Sequence, residues 1–250
     1  MNSKHLLSGL LLWLLSSFSH AQSICITNGE WLPYMGEDLP EYGPVSAIIT
    51  EAFALEGIEV DWQFYPWARA MLAAEQGQCD GTAVWSSNQE RRKTFYFSEP
   101  IINNKTQFLY LANKPFDWQE MADIQGLRIG AVIGYDYGPA FQEAERKGAI
   151  KVIRLRTETI GVRMLLANRL DIFPIDSVVG KTLLQQKFNP EEQARLRFHT
   201  RTLLHTDPLY LLLTRKVDGN QQMLERFNRG LKKLHENGVY ERYMRRIETP

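Results

Sequence analysis

The sequence of 250 residues carries little of what catalysis or polyanion binding would require. It has no H-E-x-x-H, no Cys/His set at metal-ligand spacing, no G-x-S-x-G and no Walker loop. Gly126-x-x-x-Gly130 and Gly130-x-x-x-Gly134 lack the lysine of a phosphate loop. The five histidines are scattered, which argues against a resident metal, and nothing in the sequence asks for a cofactor. An excess of one charge is also missing: 29 Lys and Arg balance 29 Asp and Glu. The protein therefore has no basic field for nucleic acid. The local cluster Glu241-Arg-Tyr-Met-Arg-Arg246 reads as a solvated helix face. There is no low-complexity stretch, no Gly/Ser linker and no internal repeat.

What the chain does have begins at its N-terminus. Lys4 precedes a mostly apolar run, Leu6–Leu15, and small residues follow at Ser19 and Ala21. This pattern predicts a secretory signal peptide over residues 1–21, cleaved after Ala21, and a periplasmic destination. The run falls short of the ~20 residues of a spanning helix, and no later segment is apolar enough to span a bilayer. Removing 21 of 250 residues leaves 229, enough for one large domain or two small ones. Only two cysteines remain, Cys25 and Cys79. An oxidising compartment leaves two outcomes open: one disulfide between them, with each near the start of a strand, or two buried free thiols.

Hydrophobic periodicity divides the chain into two α/β lobes. Ile24–Thr27 reads as a strand and Glu30–Tyr34 as a loop. Val45–Leu55 reads as a helix, Ile58–Phe64 as a strand, Trp67–Gln76 as a helix stopped by Gly77, and Cys79–Trp85 as a strand. This β-α-β-α-β order predicts a mostly parallel sheet flanked by helices. A similar rhythm returns from Gly126: strand to Ile133, helix Pro139–Lys147, strand Lys151–Leu155, helix Ile160–Asn168, strand Asp171–Ile175. The apolar strands at 107–112 and 208–214 are the natural crossings, and two crossings make a hinge rather than a tether. The helices Asn220–Asn237 and Val239–Ile247 close the chain. We therefore expect lobe I at 22–110 plus 206–250 and lobe II at 111–205.

Three stretches resemble the family 3 periplasmic solute-binding proteins, the polar-amino-acid receptors of ABC transporters. They are Gly77-Gln-Cys-Asp-Gly81 with Glu90-Arg-Arg-Lys-Thr-Phe-Tyr-Phe-Ser-Glu-Pro100, then Ile124-Gln-Gly-Leu-Arg-Ile-Gly-Ala-Val-Ile-Gly134, and the tail Phe227-Asn-Arg-Gly-Leu231 with Asn237-Gly-Val-Tyr-Glu-Arg-Tyr243. The resemblance implies a type II periplasmic-binding fold: two lobes joined by hinge strands and closing on a small ligand. It also implies an ABC permease as partner, a monomer, and no catalysis.

The resemblance assigns site residues as well. Arg91 matches the carboxylate-binding arginine, whose forked guanidinium grips a carboxylate with paired bonds; the alternative is a surface arginine in a charged run. Asp176, at the carboxyl end of a parallel strand, matches the acid that takes the ligand's ammonium; the alternative is a cap for the helix starting near Val178. Trp31 matches a ring-stacking position, and Asn28 and Asn88 fall at contact positions. Trp67, Trp85, Tyr34 and Tyr135 are further aromatic candidates, and Arg69 follows Trp67 at a helix start; core packing is the alternative for Trp67 and Tyr34. Two departures stand out. Asn88 replaces a threonine, and the turn Gly134-Tyr-Asp136 replaces Gly-Thr-Thr, so that Asp136 would repel an anion. The Tyr65-Pro-Trp-Ala-Arg69 stretch is also unlike the well-known amino-acid receptors and points to a less characterised branch. A transport receptor is the first reading. The rivals are a dehydratase-like enzyme using Asp176 or Asp136, and a sensor domain for a membrane partner.

Overall fold

The computed structural model describes residues 22–203 and 207–248; the expected signal peptide, residues 1–21, lies outside them. The first sheet starts with β1 (Gln22–Asn28), whose inner residues Ile24 and Ile26 are buried. Gly43 at φ 91° and Pro44 then set the start of α1 (Pro44–Ala54), whose Val45, Ile48, Ile49, Ala52 and Phe53 enter the core. β2 (Ile58–Phe64) follows, then α2 (Trp67–Gln76), stopped by Gly77 in the left-handed conformation at φ 76°. β3 (Gly81–Ser86) is buried throughout, and beyond it come α3 (Gln89–Thr94), β4 (Phe95–Phe97) and β5 (Ile102–Asn104).

The second sheet begins with β6 (Thr106–Leu111) and β7 (Ile129–Val132), followed by α4 (Pro139–Arg146) and β8 (Val152–Leu155). Next come α5 (Glu158–Leu166), β9 (Ile172–Asp176), α6 (Ser177–Lys187), α7 (Pro190–Ala194) and β10 (Leu196–Thr202). The chain then returns as β11 (Asp207–Thr214), α8 (Asn220–Glu236) and α9 (Val239–Glu248), which rejoin the first lobe. The result is an α/β fold of two lobes, as expected.

Each sheet is mixed rather than mostly parallel. In the first, ordered β2-β1-β3-β11-β4, the first three strands are parallel, while β11 runs antiparallel to β3, β4 and β5. In the second, ordered β10-β6-β9-β7-β8, only β9, β7 and β8 run parallel. The antiparallel strands are those that enter or leave at the crossings, so the repeating β-α pattern does not reach them.

The lobe boundary also moves. Residues 106–110 were expected in lobe I, but β6 pairs with β9 and β10, and its Phe108 and Leu109 fill the cores of the second sheet. The crossing is Lys105: Asn104 pairs with Asp207 in one sheet, and Thr106 pairs with Asp176 in the other. The return crossing follows Leu203, whose amide bonds to Thr106 O at 2.8 Å.

Two features fix lobe I. Cys25 and Cys79 form a disulfide with Cα atoms 4.9 Å apart. Cys79 sits in the bend between α2 and β3 rather than inside a strand, because β3 starts at Gly81. At the crossing of α1 and α8, a Cβ on Gly230 would lie 1.9 Å from Ala52 O, so only glycine permits this approach.

Candidate functional site

The strand ends of the two lobes face one crevice, as expected at the carboxyl edge of parallel strands. Lobe I contributes the loop after β1. Asn28 there is fully buried; its Oδ1 accepts from Gly29 N and its Nδ2 donates to Ser46 Oγ, so it anchors the loop from behind and does not line the crevice. Trp31, beyond it, does line the crevice and stacks on Tyr34 with centroids 4.5 Å apart. Trp67 opens α2 and donates from Nε1 to Glu30 O at 3.2 Å. It lies so close to the loop that a Cβ on Gly29 would meet its ring at 2.6 Å. Trp67 packs edge-on against Trp85 at 5.1 Å, and both line the crevice.

Arg91 is held by α3 and the end of β3. Asn88 caps α3, with its Oδ1 accepting from Arg91 N at 2.9 Å. The Arg91 guanidinium lies over Trp85 at 4.7 Å and donates to both Ser86 O and Ser86 Oγ at 2.9 Å. It also reaches lobe II, donating to Gly134 O at 3.1 Å. Beside it, Asn88 Nδ2 donates to Asp136 Oδ2 at 3.3 Å, placing Asn88 on the rim. Trp67 and Tyr135 meet edge-on at 6.2 Å, so three separate contacts join the lobes here. Arg69 does not line the crevice: it is exposed, with its guanidinium over the Tyr65 ring at 4.5 Å.

Lobe II contributes two turns and the end of β9. Asp136 lines the crevice, and its Oδ1 accepts from Gly138 N at the start of α4. Asp176 is 6 % exposed; it caps α6, the alternative considered for it, and it also lines the crevice. Oδ1 accepts from Val178 N and Val179 N, both at 2.9 Å, and Oδ2 accepts from Lys105 N at 3.1 Å. Burial pushes its carboxyl above the usual range, against the opposing pull of those amides and of a hydrogen bond from Tyr34. Burial likewise raises the Tyr34 and Tyr135 hydroxyls.

Glu158 is a lining residue that the sequence reading missed. It opens α5, one residue past the capping Thr157, and its Oε1 accepts from the Tyr135 hydroxyl at 2.7 Å. Burial raises its carboxyl as well. The signal was present: Glu158 follows the strand ending at Leu155, the same carboxyl-edge position that drew attention to Asp176. Ser86 was missed because its role is to orient Arg91. Among the described residues no group of three or more His, Cys, Asp or Glu is placed to hold a metal, and no helix is long and apolar enough to cross a membrane.

The family model for bacterial extracellular solute-binding proteins, family 3, matches residues 29–247. No curated protein matches the chain. Among solved structures, a histidine kinase sensor domain with similarity to periplasmic binding proteins superposes with a TM-score of 0.76 at 17% identity, covering 90% of this chain and 96% of that one. An ancestral arginine-binding protein bound to arginine gives 0.74 at 16%, covering 90% and 97%. An arginine third transport system periplasmic binding protein from Legionella pneumophila gives 0.73 at 16%, covering 90% and 99%. At these identities the likeness is one of fold.

Proposed function

The chain belongs to the bacterial extracellular solute-binding proteins, family 3, and from that premise we propose that it captures a small polar, amino-acid-like solute in the periplasm and delivers it to an ABC permease. One observation carries the reading. Trp31, Trp85 and Arg91 of one lobe and Tyr135, Glu158 and Asp176 of the other line a single crevice, so a solute held there touches both halves at once. Such a solute interacts better with the closed arrangement than with the open one, and that difference is what drives closure. Arg91 is the natural holder of a solute carboxylate, since Ser86 and Trp85 already fix the plane of its guanidinium. Asp176 faces it from the second lobe, and the rings supply apolar area. We read the protein as a monomer that works without a cofactor and without a chemical step.

The test is thermal stabilisation of the purified protein by a panel of amino acids, polyamines and small carboxylates. A true ligand stabilises the protein by mass action, by about 2.7 kcal/mol at a hundredfold excess over Kd, so that Tm rises, and it is recovered chemically unchanged. Arg91→Ala is expected to abolish the rise for carboxylate ligands; an undiminished rise removes Arg91 from the site. A second reading, a ligand-sensing domain for a membrane partner, is favoured by the sensor domain among the structural neighbours. Co-purification with a permease or with a membrane kinase separates the two.

A further inference from the structure

Besides its tyrosines the crevice is lined by three acids, Asp136, Glu158 and Asp176, against one base, Arg91. Their hydrogen bonds set them apart. Asp176 receives three backbone N–H groups and the Tyr34 hydroxyl, which fills the roughly four lone-pair directions of a carboxylate. Asp136 spends one oxygen on Gly138 N and the other on Asn88 Nδ2. Glu158 differs. Among the described residues only the Tyr135 hydroxyl reaches its carboxylate from another side chain, no cation stands in direct ion-pair contact with it, and the positive charge of Lys187, on the outer groove, acts on it through space. It lines both the inner crevice and the groove outside it, and Trp31 and Trp67 line both with it.

A half-buried carboxylate beside aromatic rings attracts a cation twice over, through its charge and through the negative faces of the rings. It equally repels an anion, and a neutral solute compensates the loss of water from the carboxylate only with neutral-donor hydrogen bonds, which are weaker than those of a cation. Resting on the binding-protein reading, we propose that Glu158, walled by Trp31, Trp67 and Tyr135, holds a cationic group of the solute. The solute is therefore a small amine or guanidine, alone or as a basic amino acid. Asp176, the acid the resemblance singled out, is left to fasten α6 and the Lys105 crossing. The raised carboxyl of Glu158 fits this assignment, because an incoming cation offsets the cost of its burial.

The experiment is calorimetric titration of the full protein with arginine, agmatine and putrescine as cations, citrulline as the uncharged isostere of arginine, and glutamate and succinate as anions. At least one cation is expected to bind, and citrulline is expected to bind at least about tenfold more weakly than arginine wherever arginine binds. Glu158→Gln keeps an acceptor for Tyr135 and is expected to lower cation affinity about tenfold or more, with Tm in buffer unchanged or raised because a buried charge is gone. Should that variant fail to fold, Glu158→Asp retains the charge but draws it back by one methylene, and at least about a threefold loss is expected. Unchanged cation affinity in the variant overturns the role of Glu158. Binding of succinate alone, or of citrulline and glutamate alone with affinity unchanged by Glu158→Gln, overturns the cationic assignment and leaves the binding-protein reading standing. Failure of every probe to bind overturns the cationic assignment, whereas the binding-protein reading falls only if the wider panel also leaves Tm unmoved.

Discussion

Asp176 joins three parts of the molecule through one carboxylate, so its removal is informative. In Asp176→Ala, Val178 N and Val179 N lose their cap at about 1 kcal/mol, within a range of about 0.5–2. Lys105 N loses its acceptor, as does the Tyr34 hydroxyl, at about 1–3 kcal/mol each where water cannot replace it. Relief of the buried charge offsets part of that sum, and we expect a net loss of about 2–4 kcal/mol. Asp176→Asn keeps the Oδ1 cap but turns an amide NH2 toward Lys105 N–H, costing about 1–3 kcal/mol. The pH dependence has a definite sign. Because burial raises the folded carboxyl above its unfolded value, its contribution to stability is full below the unfolded pKa and is lost as pH climbs through the raised one. The asparagine variant lacks this titration, so its deficit against wild type is smallest near neutrality and widens toward about pH 4. Urea titrations of the three proteins at both pH values measure this. An alanine variant within about 0.5 kcal/mol of wild type would refute the bonding described for Asp176, and a deficit that narrows on acidification would refute the sign of its shift.

Two further predictions concern lobe I. The disulfide closes a sequence separation of 54 residues, worth about 4 kcal/mol on the loop-entropy scale, so reduction should lower Tm by about 8–16 °C in scanning calorimetry. An unchanged Tm with both thiols shown free by titration contradicts that. Gly230→Ala places a methyl 1.9 Å from a backbone oxygen that cannot rotate away, so α1 and α8 must separate. We expect a loss of about 2–4 kcal/mol by urea titration despite a helix-propensity gain of about 1, and a neutral result would mean the helices are not in such close contact.

Much of the fold could be read from the sequence where apolar spacing was strong. The expected bounds of the strand at 58–64 and the helix at 67–76 are those observed, because one face of each must be buried and Gly77 ends the helix. Helix α3 went unread because Gln-Glu-Arg-Arg-Lys-Thr has no apolar period; a single capping asparagine starts it. Strand β6 was read as a crossing with the lobe boundary drawn inside it at 110, whereas it pairs wholly within the second sheet, since hydrophobicity says that a segment is buried and not which sheet receives it. The same limit applies at the site. Arg91, Trp31 and Asp176 were found through the resemblance, and the structure brings them to one crevice. Asn28 and Arg69 were chosen by position alone, and their partners lie elsewhere. Glu158 was overlooked because an acid in the first turn of a helix is ordinary; only the walls around it set it apart.

The direct contacts between the lobes bear on rates. Arg91 to Gly134, Asn88 to Asp136 and Trp67 against Tyr135 each join one lobe to the other, so each is broken when the lobes part. On the binding-protein reading a held solute leaves through that parting, so these contacts act first on release. Weakening one should therefore quicken departure more than arrival and shorten the residence time.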